Sequence, residues 1–567
     1  MKKILLKDHY ALINVKSYCK SEEELINSES FEIVLEAYYN HLKKKNDYLA
    51  HRFNEITLFM LLTTYRALQK ISYNDVYGLN PKLKPLLDDR DYLHDFTEGL
   101  YNYWRKLKKY GLLHQEYDDS YSEDAPKLLK SADDLNNIVN SLFNNISQKI
   151  LSTVKTVQRQ LTSSINASFL LTNNIWSIDP TYHKLQQIKF ISHMLVYPPF
   201  MVYSKSNIRV GMFTETNVNP LSVIDFNDDD FLAYAVKVGP CTAFVYFHKD
   251  YMHHGVSICN LFKTLPLSAF KNVKPDLIYV YGIKETEFDG KYYYDESNDI
   301  YIGTVALLDK NDYFGYMKKM LLTLHNIYMI DRNRLPIHGA MVNLVLSDFS
   351  EKNIMIIGDS GAGKSETLEA LRVIGCDYIK ALRVIYDDMG TLTKVEDKIV
   401  SYGTETGAFI RIDDLEPGYA YNEIDRAILL NPNKHNARVI LPVSSYDFIM
   451  RNHKVDYVFY ANNYEDTEDG IKLFKSPEEA LSVFKLGRRK AKGTTHEKGL
   501  VESYFANPFG PKQRQEKCDP LLDSMYQALF DAKIPVGELY TRLAIEGMEN
   551  KGPQTAAIKL LDFLTKN

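Results

Sequence analysis

The sequence lacks the features that mark secreted, membrane-spanning and zinc-ribbon proteins. It contains only five cysteines, Cys19, Cys241, Cys259, Cys376 and Cys518, and no two of them form a CxxC pair. We therefore expect free thiols in a reducing cytoplasm rather than a disulfide framework or a cysteine-based zinc site. No run of about 18 apolar residues is present, so we expect no membrane span. Polar residues interrupt the short apolar run near the N-terminus before the core of a signal peptide could form.

An excess of charge of one sign is also missing. Lys and Arg together number 68, Asp and Glu together number 73, and the net charge is -5. This balance gives no electrostatic reason to expect a nucleic-acid partner. At 567 residues the chain is too long for one ordinary domain.

The sequence divides into two regions of different pattern. Residues 1–195 place apolar residues at three- and four-residue intervals, as in FEIVLEAYYNHLKKK, which predicts a mostly α-helical region. Within it, the acidic and polar stretch 115–127 predicts a surface loop or linker. From about residue 196, short β-rich runs such as TAFVYF and DLIYVYG alternate with helical segments, which predicts an α/β fold.

The stretch IMIIGDSGAGKSE, residues 354–366, has the spacing of a phosphate-binding loop between a strand and a helix. Glycines let successive backbone N–H groups converge on phosphate oxygens, and the N-terminus of the helix adds partial positive charge. The lysine of such a loop reaches the terminal phosphates, and the serine after it binds a divalent metal. The residues predicted to bind nucleotide here are Gly358, Ser360, Gly361, Ala362, Gly363, Lys364 and Ser365.

Two further features near this loop predict a metal–phosphate site. Asp387 and Asp388 end the apolar run LRVIY, and paired carboxylates at a strand end are what such a site requires. His338 precedes the loop in LPIHGAMV.

The phosphate loop and its lead-in resemble those of two related families, HPr kinase/phosphorylase and phosphoenolpyruvate carboxykinase. YFGYMKK (313–319) resembles the YxGxMKK motif of ATP-dependent phosphoenolpyruvate carboxykinase, in which a lysine and a later histidine bind the catalytic metal. Lys318 and His338 are separated by 338 − 318 = 20 positions, as in that motif. Further stretches resemble the family in the same order along the chain, namely 273–287, 436–443, the lid segment 490–511 and the C-terminal segment 552–564.

The resemblance implies a bilobal α/β fold, with a substrate-side lobe at 196–331 and a nucleotide- and metal-binding lobe at 332–567. A lid near 488–511, containing Gly493, Thr494 and Thr495, would close over the site. The implied reaction converts oxaloacetate and ATP to phosphoenolpyruvate, ADP and CO2, an entry into gluconeogenesis.

The resemblance also assigns roles to single residues. It implies that Lys318, His338 and Asp388 hold Mn²⁺, and that Ser365, with Asp387 nearby, holds the Mg²⁺ of the nucleotide. Two further cations act on phosphate by the same resemblance, Lys364 and Arg438. The remaining implied contacts are Arg209 and Tyr313 with the small carboxylic acid substrate, and Thr555 near the adenine.

Two alternatives stay open at this level. Ala408 and Leu430 stand where the carboxykinase family has a lysine and an acid, which favours a kinase of the HPr kinase type acting on another small molecule or protein. The second alternative is a nucleotide-sensing protein without catalysis. Residues 1–195 contain no candidate site, so we predict that they mediate oligomerisation or bind a protein partner.

Overall fold

The computed structural model describes residues 4–17, 19–45, 47–114, 124–152, 164–177, 179–375, 378–412, 426–491 and 499–566. It divides into two compact units, one of residues 1–172 with 191–197 and one of residues 173–190 with 198–567. Both combine helices with sheets, which confirms the mixed α/β class. The predicted boundary near residue 195 falls close to the end of the first unit, whereas residues on both sides of the predicted boundary near 331 belong to the second unit.

The first unit contains a row of five hydrogen-bonded strands in addition to its helices. Its strands are β1 (Ile4–Leu6), β2 (Tyr10–Asn14), β3 (Lys108–His114), β4 (Ala167–Thr172) and β5 (Phe190–Val196), hydrogen-bonded in the order β1-β2-β3-β4-β5. Its helices are α1 (Glu22–Ile26), α2 (Glu29–Lys45), α3 (Leu58–Lys70), α4 (Tyr73–Leu79), α5 (Lys84–Leu87), α6 (Arg90–Lys106) and α7 (Asp124–Leu151). The β1 and β2 strands are antiparallel, whereas β2 with β3 and β3 with β4 are parallel.

Long helical connections join the parallel strands of this unit. Parallel strands require crossover connections, and here α1 to α6 separate β2 from β3, and α7 lies between β3 and β4. The apolar faces of these helices bury one core, which includes Ile26, Leu61, Leu93 and Phe96. The region predicted as mostly helical therefore also contains five strands, none of which the sequence pattern predicts. Most of the predicted linker at 115–127 lies outside the described residues.

The second unit contains 22 of the described strands and ten of the described α-helices. The strands are β6 (Phe200–Val202), β7 (Thr214–Glu215), β8 (Phe231–Val238), β9 (Cys241–His248), β10 (Lys263–Thr264), β11 (Leu277–Ile283), β12 (Lys291–Asp295), β13 (Ile300–Ala306), β14 (Leu335–Leu346), β15 (Glu351–Ile357), β16 (Ile379–Tyr386), β17 (Met389–Val395), β18 (Lys398–Gly403), β19 (Gly407–Arg411), β20 (Ile428–Leu430), β21 (Arg438–Pro442), β22 (His453–Lys454), β23 (Tyr457–Asn462), β24 (Ile471–Leu473), β25 (Arg488–Lys490), β26 (Leu500–Glu502) and β27 (Val536–Tyr540). The helices are α8 (His183–Gln186), α9 (Pro220–Val223), α10 (Met252–Ser257), α11 (Leu267–Phe270), α12 (Phe314–Ile330), α13 (Lys364–Ile374), α14 (Tyr446–Ile449), α15 (Pro477–Phe484), α16 (Gln515–Asp531) and α17 (Lys551–Lys566).

Two large mixed sheets organise this unit. One follows the order β8-β9-β11-β13-β12-β7, and the other the order β22-β18-β17-β14-β15-β23-β27-β24. Smaller sheets have the orders β19-β21-β20-β6 and β25-β26. In the second large sheet β15, β23 and β27 are parallel neighbours, so their carboxyl ends meet at one edge. In open sheets with parallel strands, ligands bind at that edge.

Helix α12 connects the two large sheets in sequence and is buried almost along its whole length. Buried apolar side chains of the helix project on all its sides, which is the pattern of a helix enclosed by protein. Two charged residues interrupt this apolar surface, the adjacent lysines Lys318 and Lys319 in the second turn of the helix. Within the described residues, no helix is both long and apolar enough to cross a bilayer.

Candidate active site

The predicted phosphate loop connects β15 to α13. The strand ends at Ile357, and the helix begins at Lys364, as the sequence predicts. Gly361 and Gly363 adopt φ angles of 79° and 92°, in the left-handed region that glycine enters without strain. Lys364 donates from its Nζ to the backbone oxygen of Asp359 at 3.1 Å, so the side chain folds back along the loop.

Residues at the ends of the neighbouring parallel strands hold this loop in place. Asn463 follows β23 and donates from its side-chain amide to the carbonyl of Gly361 at 2.8 Å. Thr541 follows β27 and donates from its hydroxyl to the carbonyl of Ala362 at 2.7 Å. A Cβ atom on Gly363 would lie 2.6 Å from the hydroxyl oxygen of Thr541, so no other residue fits at this position without movement.

A buried ion pair fixes the first part of the loop. Arg489, in β25, donates from its Nε to a carboxylate oxygen of Asp359 at 3.0 Å. Burial raises the pKa of Asp359, but His338 and Arg489 lower it more, to about 2. Arg489 belongs to the segment predicted as a lid. The residues predicted as its mobile part, Gly493, Thr494 and Thr495, lie outside the described residues.

Ser365 and Asp387 form the pair predicted for a nucleotide-bound metal. The Ser365 hydroxyl donates to a carboxylate oxygen of Asp387 at 3.0 Å. Burial and the neighbouring Asp388 raise the pKa of Asp387. A divalent cation bound by Ser365 and Asp387 would offset the repulsion between Asp387 and Asp388. Serine and aspartate oxygens are ligands that Mg²⁺ accepts.

Lys319, His338 and Asp388 meet beside this pair. The Nζ of Lys319 lies 2.6 and 2.7 Å from the two carboxylate oxygens of Asp388 and 3.3 Å from the Nε2 of His338. The same Nε2 lies 3.1 Å from a carboxylate oxygen of Asp388. All three side chains are largely withdrawn from solvent.

The tautomer of His338 follows from its other ring nitrogen. Nδ1 lies 2.7 Å from the carbonyl oxygen of Ala506, which only accepts, so Nδ1 carries the proton. Burial and the nearby Lys319 lower the pKa of His338 to about 4, so the ring is neutral at pH 7. The lone pair of Nε2 therefore faces both the carboxylate of Asp388 and the amine of Lys319. Metal-binding histidines are commonly held in this way, with the second nitrogen bonded to a carbonyl.

The structure brings Lys319 to His338, whereas the sequence pattern had assigned that role to Lys318. The Nζ of Lys318 lies instead between Asp388 at 2.7 Å and Glu405 at 2.9 Å. Burial disfavours its charge, but the two carboxylates outweigh burial and raise the pKa of Lys318. A lysine binds a metal only after it loses its proton, so a lysine held as an ammonium between two acids is unsuited to the role.

Lys319 fits the requirements of a metal ligand better. Burial lowers its pKa to about 8, although Asp388 opposes this shift. For Asp388, burial raises the pKa, but Lys318 and Lys319 outweigh burial and hold it well below its usual range. Glu405, the second acid beside Lys318, has its pKa raised by burial to about 7.

A cavity of about 770 Å³ joins the phosphate loop to this cluster. The predicted residues that line it are Arg209, Tyr313, Ser360, Gly361, Lys364, Ser365, Asp387, Asp388 and Arg438. The volume lies within the range of cofactor and substrate pockets. Its further cationic lining residues, which the sequence did not single out, are Lys319, Arg372, Arg383, Arg411, Arg426 and Arg451.

Aromatic rings lie against three of the cations that line the cavity. The guanidinium of Arg209 lies 4.4 Å, and the Nζ of Lys319 lies 4.7 Å, from the centre of the Phe509 ring. The guanidinium of Arg438 lies 5.3 Å from the centre of the Phe409 ring. Such contacts stabilise a cation without neutralising it.

Arg438 lies directly opposite Arg411 on neighbouring antiparallel strands, β21 and β19. Like charges at opposed positions destabilise a sheet unless other groups offset them. Ala408 lies on the same strand as Arg411 and also lines the cavity. Ala408, which stands where the carboxykinase family has a lysine, thus contributes no charge. Arg411, three residues later, does contribute one.

Thr555 is not among the residues that the structure brings to the cavity. It lies on α17, and its hydroxyl donates to the carbonyl of Lys551 at 2.8 Å within the same helix. Its assignment to the adenine rests on the resemblance alone.

Lys319 is the site residue that sequence reasoning missed most directly. Gly315 and Lys319 both line the cavity, and they are four residues apart on α12, so they share one helix face. The i, i+4 relation to Gly315 is a signal that could have distinguished Lys319 from its neighbour. No protein-family model matches the chain, and no curated protein sequence matches it significantly.

Proposed function

We propose that this chain is a nucleotide- and metal-dependent enzyme that decarboxylates oxaloacetate and phosphorylates the product to phosphoenolpyruvate. The observation that carries the proposal is the neutral His338, whose Nε2 lone pair faces Asp388 and Lys319 beside a phosphate loop. The Nζ of Lys319 lies 3.3 Å from this Nε2 and 2.6 Å from Asp388, so a metal would bind there in place of the Lys319 proton, with the deprotonated amine as a third ligand. A phosphate loop alone would need no such arrangement.

The donor set fits a divalent metal. Lys319, His338 and Asp388 would hold Mn²⁺, and Ser365 with Asp387 would hold the Mg²⁺ of ATP. When bound, these cations supply Lewis acidity at the substrate oxygen and neutralise charge on the phosphates.

The side chains of the chain itself have the remaining roles. Arg209 would bind a carboxylate of the substrate in a bidentate manner, and Tyr313 would contact the substrate from the N-terminus of α12. The bond between C3 of the substrate and its departing carboxylate breaks, CO2 leaves, and the electron pair forms the enolate. The enolate oxygen attacks the γ-phosphorus and ADP leaves, while Lys364 and Arg438 stabilise the transferred phosphoryl group.

The bilobal arrangement and the lid belong to this proposal as well. Residues 196–331 would contribute the substrate side, and 332–567 the nucleotide side, with the lid near 488–511 excluding water from the enolate. We assign the first compact unit to oligomerisation or to binding a protein partner, in a cytoplasmic enzyme.

A second candidate keeps the same nucleotide and metal site but transfers phosphate to another anionic acceptor. The opposed pair of Arg411 and Arg438, with Ala408 beside it, favours this alternative. The family motif needs one arginine at this place, and an acceptor with more negative charge would use two.

The test is a product assay on the full-length protein. Purified protein is incubated with ATP or GTP, Mg²⁺ and Mn²⁺, with and without oxaloacetate, while phosphoenolpyruvate and ADP are followed together. Equal amounts of both products that depend on oxaloacetate would support the proposal. ADP that forms only with another acceptor would support the second candidate, and nucleotide binding without turnover would reject both.

Variants assign the products to the site. His338→Ala and Lys364→Met should abolish both products. Lys394→Met is the matched control for Lys364→Met, because Lys394 is an exposed lysine of β17 away from the cavity. Full activity in His338→Ala would contradict the proposal even if phosphoenolpyruvate forms.

A further inference from the structure

A second group of potential metal ligands is buried in the same unit, outside the cavity lining. His253 and His254 lie on α10, and Asp312 lies immediately before Tyr313 at the start of α12. Among the described residues, this is the group in which three His, Cys, Asp or Glu side chains bring ligand atoms within 4.8 Å of one another. All three residues are buried.

The two imidazoles converge on one oxygen. The Nε2 of His253 and the Nε2 of His254 each lie 2.8 Å from the same carboxylate oxygen of Asp312. The other carboxylate oxygen accepts the backbone N–H of Lys205 at 2.8 Å. A carboxylate whose free oxygen is held by a backbone donor is oriented as a metal-binding carboxylate commonly is.

The charge of this group is not balanced by a lysine or arginine. In the part of the chain that the structure describes, the ion-pair partners of Asp312 are the two histidines alone. A buried carboxylate needs a positive partner, either a protonated imidazole or a metal ion.

His254 has no second anchor for its ring. Its Nδ1 is buried and has no hydrogen-bond partner among the described residues. The Nε2 contact at Asp312 is therefore the polar interaction that orients this ring. A metal at Nε2 would place the ring proton on Nδ1, so metal binding also requires a water or a small ring movement that gives this N–H a partner.

We propose that His253, His254 and Asp312 bind a divalent transition metal, with Zn²⁺ the best match, at a site separate from the cluster of Lys319, His338 and Asp388. Four-coordinate Zn²⁺ takes two imidazole nitrogens and a carboxylate oxygen at about 2.0–2.2 Å and leaves one position for water. Tetrahedral ligands at that bond length lie about 3.3 Å apart. The two N–O separations of 2.8 Å therefore need to open by roughly half an ångström when the metal binds.

The donor set selects against Mg²⁺ and Ca²⁺, which prefer oxygen ligands alone. The metal would join α10 to the residue that precedes Tyr313 and α12. It would fix the start of the helix that carries Lys318 and Lys319. The presence of this site does not depend on which reaction the cavity performs.

The test measures zinc in the full-length protein purified without chelator. Elemental analysis should find about one Zn²⁺ per chain. His254→Ala should weaken Zn²⁺ binding more than about 100-fold, because even the partners of metal ligands are worth about 10- to 100-fold. His248→Ala is the matched control, since His248 is a buried histidine of the same segment that does not belong to the group. Zinc content should be unchanged in this control and in Asp388→Asn.

A second measurement covers the case in which His254→Ala folds poorly. Asp312→Asn keeps the size of the side chain, and replacement of Zn²⁺ by Co²⁺ reports the ligands by visible absorption. The wild type should show the spectrum of four-coordinate Co²⁺ and a melting temperature that falls with chelator, and Asp312→Asn should show neither. The proposal would be overturned if the wild-type protein contains no zinc and its melting temperature changes with neither Zn²⁺ nor chelator. So would zinc that is lost in Asp388→Asn and retained in His254→Ala and Asp312→Asn.

Discussion

The two compact units bury lysines in opposite electrostatic settings. In the first unit, Lys109 is buried, and its Nζ donates to three backbone carbonyls, those of Trp104, Arg105 and Leu107, at 3.0, 3.3 and 2.7 Å. In the second unit, Lys318 is equally buried but lies between two carboxylates. Burial lowers the pKa of Lys109 to about 7, whereas the pKa of Lys318 is raised because the acids outweigh burial.

The difference shows that the charge of the partners, and not burial itself, decides the state of a buried amine. Lys319 is intermediate, because it shares Asp388 with Lys318, and burial lowers its pKa to about 8. One lysine of the pair is thus held as a permanent cation, and the other can lose its proton near neutral pH. Adjacent residues on one helix acquire different chemistry from the number of acids each one contacts.

The largest effect is expected for Asp388→Asn, which removes the acid that the two lysines of α12 share. Both metal binding at His338 and the charge balance of Lys318 and Lys319 should be lost. Since such a metal supplies several kcal/mol of transition-state stabilisation, phosphoenolpyruvate formation should fall at least about 1,000-fold. The measurement is kcat/KM for oxaloacetate, with Asp397→Asn, an exposed aspartate after β17, as the control. Activity within tenfold of the wild type would remove Asp388 from the site.

Separate replacement of the two lysines should split stability from metal binding. Lys318→Met leaves Glu405 buried without its cation, while Asp388 keeps Lys319, and this should cost about 3–5 kcal/mol of unfolding free energy at pH 8. The cost should shrink at pH 6, because Glu405, whose pKa burial raises to about 7, takes up a proton. Lys319→Met should cost less stability and abolish Mn²⁺ binding. Urea unfolding and Mn²⁺ titration measure the two effects, and the reverse pattern would restore Lys318 as the ligand.

The third prediction concerns Lys109 and the pH dependence of the first unit. In the unfolded chain this amine has its ordinary pKa of 10.5, and in the folded unit burial lowers it to about 7. Between these values the unfolded state binds more protons, so the unfolding free energy should rise with pH by about 1.4 kcal/mol per unit. Below about pH 7 the penalty is complete and constant, and in Lys109→Met the slope should be smaller by this amount, because Lys108, whose pKa burial lowers to about 8, keeps its own contribution.

Tryptophan fluorescence gives access to this unit alone. The chain has two tryptophans, of which Trp104 lies in the first unit and Trp176 in the second. In a Trp176→Phe background, urea unfolding followed at several pH values reports the first unit. A wild-type slope no steeper than that of Lys109→Met would show that the three carbonyls keep the ammonium charged.

The smallest effect is expected for Thr555→Val, an uncharged reference outside the lysine clusters. Thr555 bonds within α17 and is absent from the cavity lining, whereas Ser365 lines the cavity. Thr555→Val should change the KM for ATP less than about twofold. Ser365→Ala should reduce kcat/KM more than about tenfold, and one tenfold step is about 1.4 kcal/mol of transition-state binding. Similar losses in both variants would place the adenine against α17.

The sequence predicted the parts of the site whose chemistry is local. The phosphate loop could be predicted because its glycines, Lys364 and Ser365 occur at fixed spacings between one strand and one helix. The acid pair Asp387 and Asp388 was predictable for the same reason, since it ends the strand β16. The mixed α/β class followed from alternation of strand-like and helical segments.

Contacts between distant segments were not predictable in this way. Whether Lys318 or Lys319 contacts His338 depends on the rotation of α12 against β14, which a spacing of residues does not encode. The contact of His254 with Asp312 joins residues 58 positions apart, so no local pattern marks it. The strands of the first unit were missed because short apolar runs beside long helices carry little periodicity.

The anchoring of the phosphate loop by Asn463 and Thr541 has a consequence for protein synthesis. These two residues follow their partners, Gly361 and Ala362, by 102 and 179 positions. At a synthesis rate of about 5–20 residues per second, Thr541 follows the loop by roughly 9–36 seconds. During that interval the nascent chain carries the loop without its second anchor. Nucleotide retention by ribosome-bound chains should therefore begin only after translation has passed β27.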